Sequence, residues 1–189
     1  ATKILLGGGI ANLFFLSKGY EIGLSKVEKE AVKTAWILEK NFKQKIVLPL
    51  DVVVSNEKME RHSIRCCAPY EVGKKEIILD AGPKTIMAYA KELKIAKTIV
   101  WNGPLGLFEV KPFDMSTMSL SRIVGAVWSC SERRRDLCNS SNVGADSCAA
   151  NNAKVLMIDV LKPGSIFFKT LLQRLVPQVL ANHLPNRSI

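Results

Sequence analysis

The residues best placed to do chemistry lie in the stretch Thr98–Glu109, which reads TIVWNGPLGLFE. It starts as a short β-branched run, continues into a turn with two glycines and a proline, and ends on an aromatic residue and a carboxylate. A strand that opens into a glycine turn brings polar groups to the carboxyl edge of a parallel sheet, where open α/β folds bind their ligands. The alternative interpretation is a core strand followed by a tight turn without chemistry.

A second glycine turn follows the first apolar run of the chain. Lys3–Leu6 is followed by Gly7–Gly9, and Ile10–Leu16 has the composition of a helix. Strand, glycine turn and helix form the first half of a βαβ unit. Glycine has no Cβ, so a ligand could approach this backbone closely. The turn matches neither the G-x-G-x-x-G nor the Walker A pattern, and by itself it is a weak signal.

The elements that would position these turns alternate between strands and helices. Apolar runs predict strands, and apolar residues at helical spacing predict helices. Beyond the first strand and helix, the predicted order is helix Ser25–Phe42, strand Lys45–Leu48, strand Lys75–Asp80, helix Thr85–Leu93 and a strand from Thr98. Strands separated by helices favour an α/β fold, a three-layer Rossmann-like parallel sheet with helices on both faces and right-handed crossovers.

Local signals refine the element boundaries. Gly19 is placed to end the first helix as its C′ residue. Ser25-x-x-Glu28 is a capping box that would open the second helix. Pro49 cannot donate to a ladder, so we expect the strand before it to end near Leu48 and a loop or edge segment to follow. Residues 55–74 are polar and show no period.

Composition excludes several classes of protein. The chain has 189 residues, a formal charge of +10 and five cysteines. No apolar run reaches about 18 residues, so no transmembrane helix is predicted. The positive charge is diffuse and lacks interleaved aromatics or a helix-turn-helix pattern, which argues against nucleic-acid binding. An odd number of cysteines without a C-x-x-C pair indicates free thiols in a reducing cytoplasm, with neither disulfides nor a zinc site.

The character of the sequence changes after Asp114. Residues 116–189 are richer in serine and arginine and poorer in lysine than residues 1–115. We expect a divergent tail over 116–189, partly loop or disordered, with a strand at 154–161 and a helix at 165–182. The first residue is not Met and a strand-like run follows almost at once, so we expect a fragment of a longer protein.

Five stretches of the chain together carry a specific resemblance. They are Leu5–Ala11, Gly19–Gly23, Ile46–Val54, Ile78–Pro83 and Ile99–Glu109. In order and at matching spacing, over roughly residues 3–115, they resemble the C-terminal nucleotide-binding domain of phosphoglycerate kinase. The resemblance implies Mg-dependent, reversible phosphoryl transfer between ATP and 3-phosphoglycerate in glycolysis, by a monomeric enzyme whose two domains close on a hinge.

The resemblance also implies a set of nucleotide-binding residues. Gly8 and Gly9 would form the floor beneath the adenine, with Leu79 on the apolar side of the same slot. The turn around the nucleotide and the carboxylate that binds the ribose hydroxyls would come from the opening stretch, at Asn102, Gly103, Leu105 and Glu109. A fixed carboxylate suits a diol because it only accepts hydrogen bonds. A surface acid that caps a turn is the alternative for Glu109.

The sequence departs from the family pattern where phosphate and metal should be bound. Residues 116–189 contain no Gly-Gly-Gly-Asp-Thr turn and no second glycine-rich helix start. No catalytic or metal-ligating residue is therefore predicted, and the expected sheet is incomplete. In this interpretation 3-phosphoglycerate would bind only through an N-terminal domain that the chain lacks. Three interpretations stay open: an ATP/ADP-binding fragment inactive alone, a dead truncated or frame-shifted product, and an adenine-nucleotide-binding module without transfer activity.

Overall fold

The computed structural model describes residues 3–96, 98–126 and 155–159, which form two sheets and four α-helices. The strands are β1 Lys3–Leu6, β2 Ile46–Val47, β3 Val52–Ser55, β4 Arg65–Cys67, β5 Ile77–Ala81, β6 Thr98–Asn102 and β7 Val155–Asp159. The helices are α1 Gly8–Ser17, α2 Val32–Phe42, α3 Pro83–Ile95 and α4 at residues 115–126. The predicted tail helix at 165–182 lies outside the described residues.

The larger sheet is parallel, as the alternation of strands and helices predicts. Its order is β2-β1-β7-β6. Strand β7 lies within the range 154–161 and pairs on both sides, with Ile4 opposite Met157 on one side and Val100 opposite Met157 on the other. Strands β1 and β6 are therefore joined only through β7 in the described sheet.

Helices cover both faces of the parallel sheet, which confirms the α/β expectation. Successive side chains of a strand point to opposite faces. In β1, Leu6 belongs to a core cluster built with α1 and α2, and Ile4 packs against it. Leu5 belongs to a second cluster with residues of α3 and α4, including Tyr89 and Leu120.

A smaller antiparallel sheet, ordered β4-β3-β5, differs from the sequence expectation. The segment Lys75–Asp80 does form a strand, but it pairs antiparallel with β3 and takes no part in the parallel sheet. Residues after Pro49 form β3, where a loop or edge segment is expected, and the patternless stretch 55–74 contains β4. A short apolar run has the same pattern in either kind of sheet, so periodicity could not assign the partner.

The end of α1 agrees with the prediction for Gly19. Its φ is +81°, a left-handed conformation that favours glycine. The Gly19 amide donates to Leu16 O at 2.9 Å and the Tyr20 amide to Phe15 O at 3.0 Å, which is the Schellman pattern. The Phe15 and Tyr20 rings stack with centroids 6.4 Å apart and seal the turn.

The predicted capping box at Ser25 is wrong. A 3₁₀ turn at Lys29–Ala31 precedes α2, which begins at Val32 without a side-chain cap. The Ser25 hydroxyl instead accepts a hydrogen bond from the Ile78 amide at 2.9 Å. Its side chain thus ties the loop after α1 to β5, a long-range contact that a local pattern does not contain.

Helix α3 is capped from a distant part of the chain. The Asp51 carboxylate accepts hydrogen bonds from the Lys84 amide at 3.0 Å and from the amide and hydroxyl of Thr85, each at 2.7 Å. Burial alone would raise the pKa of Asp51, but these hydrogen bonds and one from Cys66 outweigh it and hold that pKa below its ordinary value. The carboxylate also suits the positive end of the helix dipole. It fixes β3 against the start of α3.

None of the helices in the described ranges is long and apolar enough to cross a membrane.

Candidate functional site

The carboxyl edge of the parallel sheet brings the two glycine turns together. Leu6, Asp159 and Asn102 end β1, β7 and β6 in one register row. Each glycine turn begins immediately after one of these strand ends, at Gly7 and Gly103. Open α/β sheets bind their ligands outside this edge.

The first turn presents an open helix N-terminus. Gly7 has extended backbone and precedes α1, and Gly8 has a φ of +52°, a left-handed conformation that favours glycine. Neither a side-chain cap nor an acidic residue occupies the first turn of α1. The first N–H groups of a helix have no intrahelical partner and favour a negatively charged group. Gly8 and Gly9 are both partly accessible.

The second turn is held by hydrogen bonds to its backbone. Gly103 has a φ of +84°, and the Trp101 indole N–H donates to Gly103 O at 2.5 Å. The Leu105 amide donates to the Thr117 hydroxyl at 3.0 Å, which connects the turn to α4. Trp101 therefore fixes the curvature of the turn that follows Asn102.

Leu105 connects the two turns through the core. Its side chain is 1% exposed and belongs to the second core cluster with Leu5 and Tyr89. A Cβ added to Gly7 would lie 3.1 Å from the Leu105 side chain, so the first turn packs closely on the second. The structure thus places the Leu105 side chain in the core, where it sets the spacing of the turns.

The structure connects Leu79 to the loop that follows the second glycine turn and carries Glu109. Leu79 is buried in β5, and its carbonyl accepts a hydrogen bond from the Leu107 amide at 2.7 Å. That bond ties β5 to the loop that carries Glu109, whose side chain is exposed. Phe108, between Leu107 and Glu109, also exposes much of its ring.

Sequence reasoning missed a buried carboxylate beneath this loop. Asp80 is 3% exposed, and its carboxylate accepts hydrogen bonds from the Ala81 amide at 2.8 Å and the Ser116 amide at 3.0 Å, and from the Ser116 hydroxyl. A Cβ on Gly106 would collide with this carboxylate, so only glycine fits there. The signal available was an aspartate shortly before Gly82-Pro83 at the end of an apolar strand.

The pKa of Asp80 is raised to about 6. Burial is the main cause, because it disfavours the charged form, and the nearby charge of Asp114 acts in the same direction. The hydrogen bonds from Ser116 and Ala81 oppose the rise without cancelling it. Asp80 is therefore a structural carboxylate at the start of α4 that changes charge in mildly acidic solution.

We expect Asp80→Asn to alter how stability depends on pH. The folded chain binds this proton more tightly than the unfolded chain, in which the pKa stays near its ordinary 3.8. The contribution of the group to folding is thus fully present below about pH 4 and lost as the pH rises through about 6, a change of about 3 kcal/mol. Urea unfolding followed by circular dichroism between pH 4 and 7 should show that the Asp80→Asn variant lacks this decline.

The exposed Glu57 gives the matched control, since Glu57→Gln removes a carboxylate that is solvated in both states. Its pH profile should follow that of the unsubstituted chain. If Asp80→Asn and Glu57→Gln give the same profile, Asp80 is not the titrating group.

The described residues offer no metal site. They contain no group of three or more His, Cys, Asp or Glu side chains that could hold an ion. They do contain two glycine turns and an uncapped helix N-terminus at one edge of the sheet. This arrangement fits a flat, partly anionic ligand better than a bare cation.

Comparison with known proteins identifies the family. The sequence model of the phosphoglycerate kinase family matches residues 1–134. The chain belongs to the phosphoglycerate kinase family. Its match continues past residue 115, where the sequence motifs alone placed the end of the resemblance.

Individual relatives agree with the family assignment. The phosphoglycerate kinase of Zymomonas mobilis is 41% identical over 127 residues, which is 66% of this chain and 32% of that protein. The enzyme of Novosphingobium aromaticivorans is 38% identical over 157 residues, covering 81% and 39%. The solved phosphoglycerate kinase of Coxiella burnetii superposes with a TM-score of 0.60 at 36% identity, over 66% of this chain and 33% of that one. The chain thus spans about a third of the length of the relatives it matches.

Proposed function

We propose that this chain forms the adenosine-binding part of the nucleotide site of a phosphoglycerate kinase, as a portion of the C-terminal nucleotide-binding domain. The observation that carries the proposal is the meeting of two glycine turns at the carboxyl edge of the parallel sheet, with Leu105 packed on Gly7. The reaction it would serve is phosphoryl transfer between ATP and 3-phosphoglycerate in glycolysis, in the cytoplasm.

Each residue of the proposed site has one task. Gly8 and Gly9 expose flat backbone against the adenine, and Leu79 gives the slot an apolar side. Asn102 and Gly103 shape the turn that surrounds the nucleotide, with Leu105 fixing its distance from the first turn. Glu109 accepts hydrogen bonds from the ribose hydroxyls with its exposed carboxylate.

The proposed assignment divides the chain at residue 115. Residues 1–115 contain every proposed nucleotide contact, whereas residues 116–189, of which the family model matches the part up to 134, contribute most of α4 and all of β7 to the described fold. Because the described residues hold no cluster suited to Mg²⁺, the metal and the terminal phosphates would depend on groups beyond them. 3-Phosphoglycerate would be bound by a separate domain.

We expect the 189-residue chain to bind ADP weakly, as a monomer, and to show no kinase turnover. Binding uses the adenosine contacts alone, while transfer also needs the phosphate, metal and phosphoglycerate groups to be positioned together. Titration calorimetry with ADP measures the first outcome and a coupled spectrophotometric assay the second. Measurable turnover would contradict the fragment interpretation, and the absence of any ADP binding would contradict the proposed site.

Substitution of Glu109 locates the ribose within that site. Glu109→Gln should weaken ADP binding about tenfold, since a hydrogen bond to a charged group is worth roughly 1.5–3 kcal/mol. The same variant should bind ADP and 2′-deoxy-ADP alike, whereas the unsubstituted chain should prefer ADP. Glu57→Gln is the control and should keep the preference. Equal affinity of the unsubstituted chain for both nucleotides would exclude a ribose contact by Glu109.

A second candidate is an adenine-nucleotide-binding module without transfer activity. It is favoured by one observation, the lack of a metal-binding cluster in the described part of the chain. The two candidates give different results when the N-terminal domain of a relative and its two glycine-rich phosphate-binding segments are added in trans. Restored turnover supports the kinase fragment, and ADP binding without turnover supports the module. A chain that neither binds ADP nor unfolds cooperatively would be the dead truncated or frame-shifted product.

A further inference from the structure

The centre of the parallel sheet is filled by a strand from outside the family match. Strand β7 lies between β1 and β6 and pairs with both. The family model ends its match at residue 134, whereas β7 begins at Val155. Both neighbouring strands belong to the matched part of the chain. The family sequence in this chain thus builds the two sides of a strand position, and the strand that occupies the position lies outside that sequence.

The two sides of this position carry backbone groups that need a partner. The Ile4 amide donates to Lys45 O at 2.7 Å, on the β2 side of β1. Amides of successive residues in a strand point to opposite edges, so the Leu5 amide points toward β7. Neighbouring strands lie about 4.8 Å apart, so β1 and β6 are about 10 Å from each other and cannot pair directly. We call the space between Lys3–Leu6 and Thr98–Asn102 the central slot.

The central slot favours an apolar strand. Ile158 pairs with Leu5 and with Trp101, so these three residues share one face of the sheet. Leu5 belongs to the second core cluster and Trp101 packs against it. On the other face, Ile4 packs against the first core cluster. Strands that are buried on both faces are nearly continuous apolar runs. The slot therefore suits a run such as residues 155–158, VLMI, and excludes a charged one.

The relatives have enough additional chain to fill the slot with another strand. The Zymomonas mobilis enzyme is matched over 127 residues, which is only 32% of its length. A protein with β1 and β6 from the family sequence but without β7 would bury two strand edges that lack hydrogen-bond partners. It must therefore fill the slot from the rest of its own chain.

We propose that the central slot is a strand-docking site, whose partner is a parallel apolar strand from the part of a phosphoglycerate kinase that this chain lacks. Strand β7 occupies the slot in place of that partner and is exchangeable with it. The partner adds by backbone hydrogen bonds on both edges, over the five residues that pair with β6. This site lies within the sheet and does not depend on nucleotide binding.

The first test uses the complete chain with Met157→Pro, in which β7 loses a hydrogen bond of its ladder. The probes are overlapping synthetic peptides that cover the parts of the Zymomonas mobilis enzyme outside the 127 matched residues. One apolar peptide should restore cooperative urea unfolding, followed by circular dichroism. The same peptide with a proline at its centre should not restore it.

A peptide of residues 153–161 of this chain is the positive control for the first test. The Lys74→Pro variant, in which β7 is intact, is the negative control, and the peptides should leave its unfolding curve unchanged. If the peptide of residues 153–161 restores cooperative unfolding and no peptide of the relative does, the slot does not accept a strand of the relative and the proposal is overturned.

The second test uses the unsubstituted chain and does not require Met157→Pro to fold. A separate peptide competes with β7 as an intramolecular partner, whose effective concentration is on the order of millimolar, so the peptide is supplied in that range. Amide hydrogen exchange in Val155–Asp159, measured by mass spectrometry, should then accelerate at least about tenfold, while β1 and β6 stay protected. A peptide that binds elsewhere on the surface leaves β7 protected. Unchanged exchange in β7 with every peptide overturns the proposal.

Discussion

Met157→Pro is expected to destroy the cooperative unfolding of the chain. Met157 is the middle residue of β7 and lies opposite Ile4 of β1 on one side and Val100 of β6 on the other. Each amide of a central strand donates to one of its two neighbouring strands. Proline at this position therefore removes one hydrogen bond of the ladder and leaves the opposing carbonyl without a donor. The loss should be on the order of 3 kcal/mol or more, a large part of the stability of an ordinary domain. Urea unfolding followed by circular dichroism measures it.

The control for this substitution is a proline where the backbone accepts one. Lys74 follows Gly73 in a turn closed by the Glu76 amide, which donates to Gly73 O at 3.0 Å. Proline suits the second position of such a turn. Lys74→Pro should change stability by well under about 1 kcal/mol. If Met157→Pro is equally mild, β7 does not hold β1 and β6 together in solution.

Tyr89→Ala should lower the free energy of unfolding by about 3–5 kcal/mol. Tyr89 is 0% exposed and belongs to the second core cluster. The substitution therefore leaves a cavity nearly as large as the ring. Its hydroxyl lies 2.5 Å from Leu6 O and 3.0 Å from Val47 O, at the carboxyl ends of β1 and β2. Burial raises the pKa of this phenol, so it stays a hydrogen-bond donor at all ordinary pH values.

Tyr89→Phe separates the hydroxyl from the ring. It keeps the packing but leaves the Leu6 carbonyl without its donor directly before the first glycine turn, at a cost of about 1–3 kcal/mol. The exposed Tyr70 provides the control, because Tyr70→Phe removes a hydroxyl that water already solvates. Thermal and urea unfolding of the three variants give the comparison. If the Tyr89→Phe variant is as stable as the unsubstituted chain, the hydrogen bonds of the hydroxyl make no net contribution to the free energy of unfolding.

The parallel sheet and its helices could be predicted from the sequence because their signals are local. Lys3–Leu6 and α3 are short apolar or periodic segments with glycine or proline at their ends, and Gly19 marks a left-handed C′ position. The antiparallel sheet could not be predicted, since pairing depends on residues far along the chain. Strand β4 has only three residues, too few to establish a period.

The sequence indicated the two glycine turns of the candidate site but not the buried carboxylate beneath the loop that follows the second turn. Gly8 and Gly103 do have the left-handed backbone for which glycine is suited. The buried residue Asp80, in contrast, occurs in an apolar segment, and a hydrophobicity pattern does not single out one polar residue within it. The role of Asp80 depends on its burial and its hydrogen bonds to Ser116 and Ala81, which are visible only in the three-dimensional structure.

The position of β7 also determines when the fold can be completed during synthesis. Leu5 pairs with Ile158, so the sheet is joined by contacts between residues near opposite ends of the described chain. Such pairing has a high contact order, and the closing of a long loop must precede any gain from it. The chain leaves the ribosome from its N-terminus, so the edge of β1 that pairs with β7 stays without a partner until β7 has been synthesised. A nascent chain of this sequence is thus most open to wrong strand pairing, and to chaperones that mask such edges, late in translation.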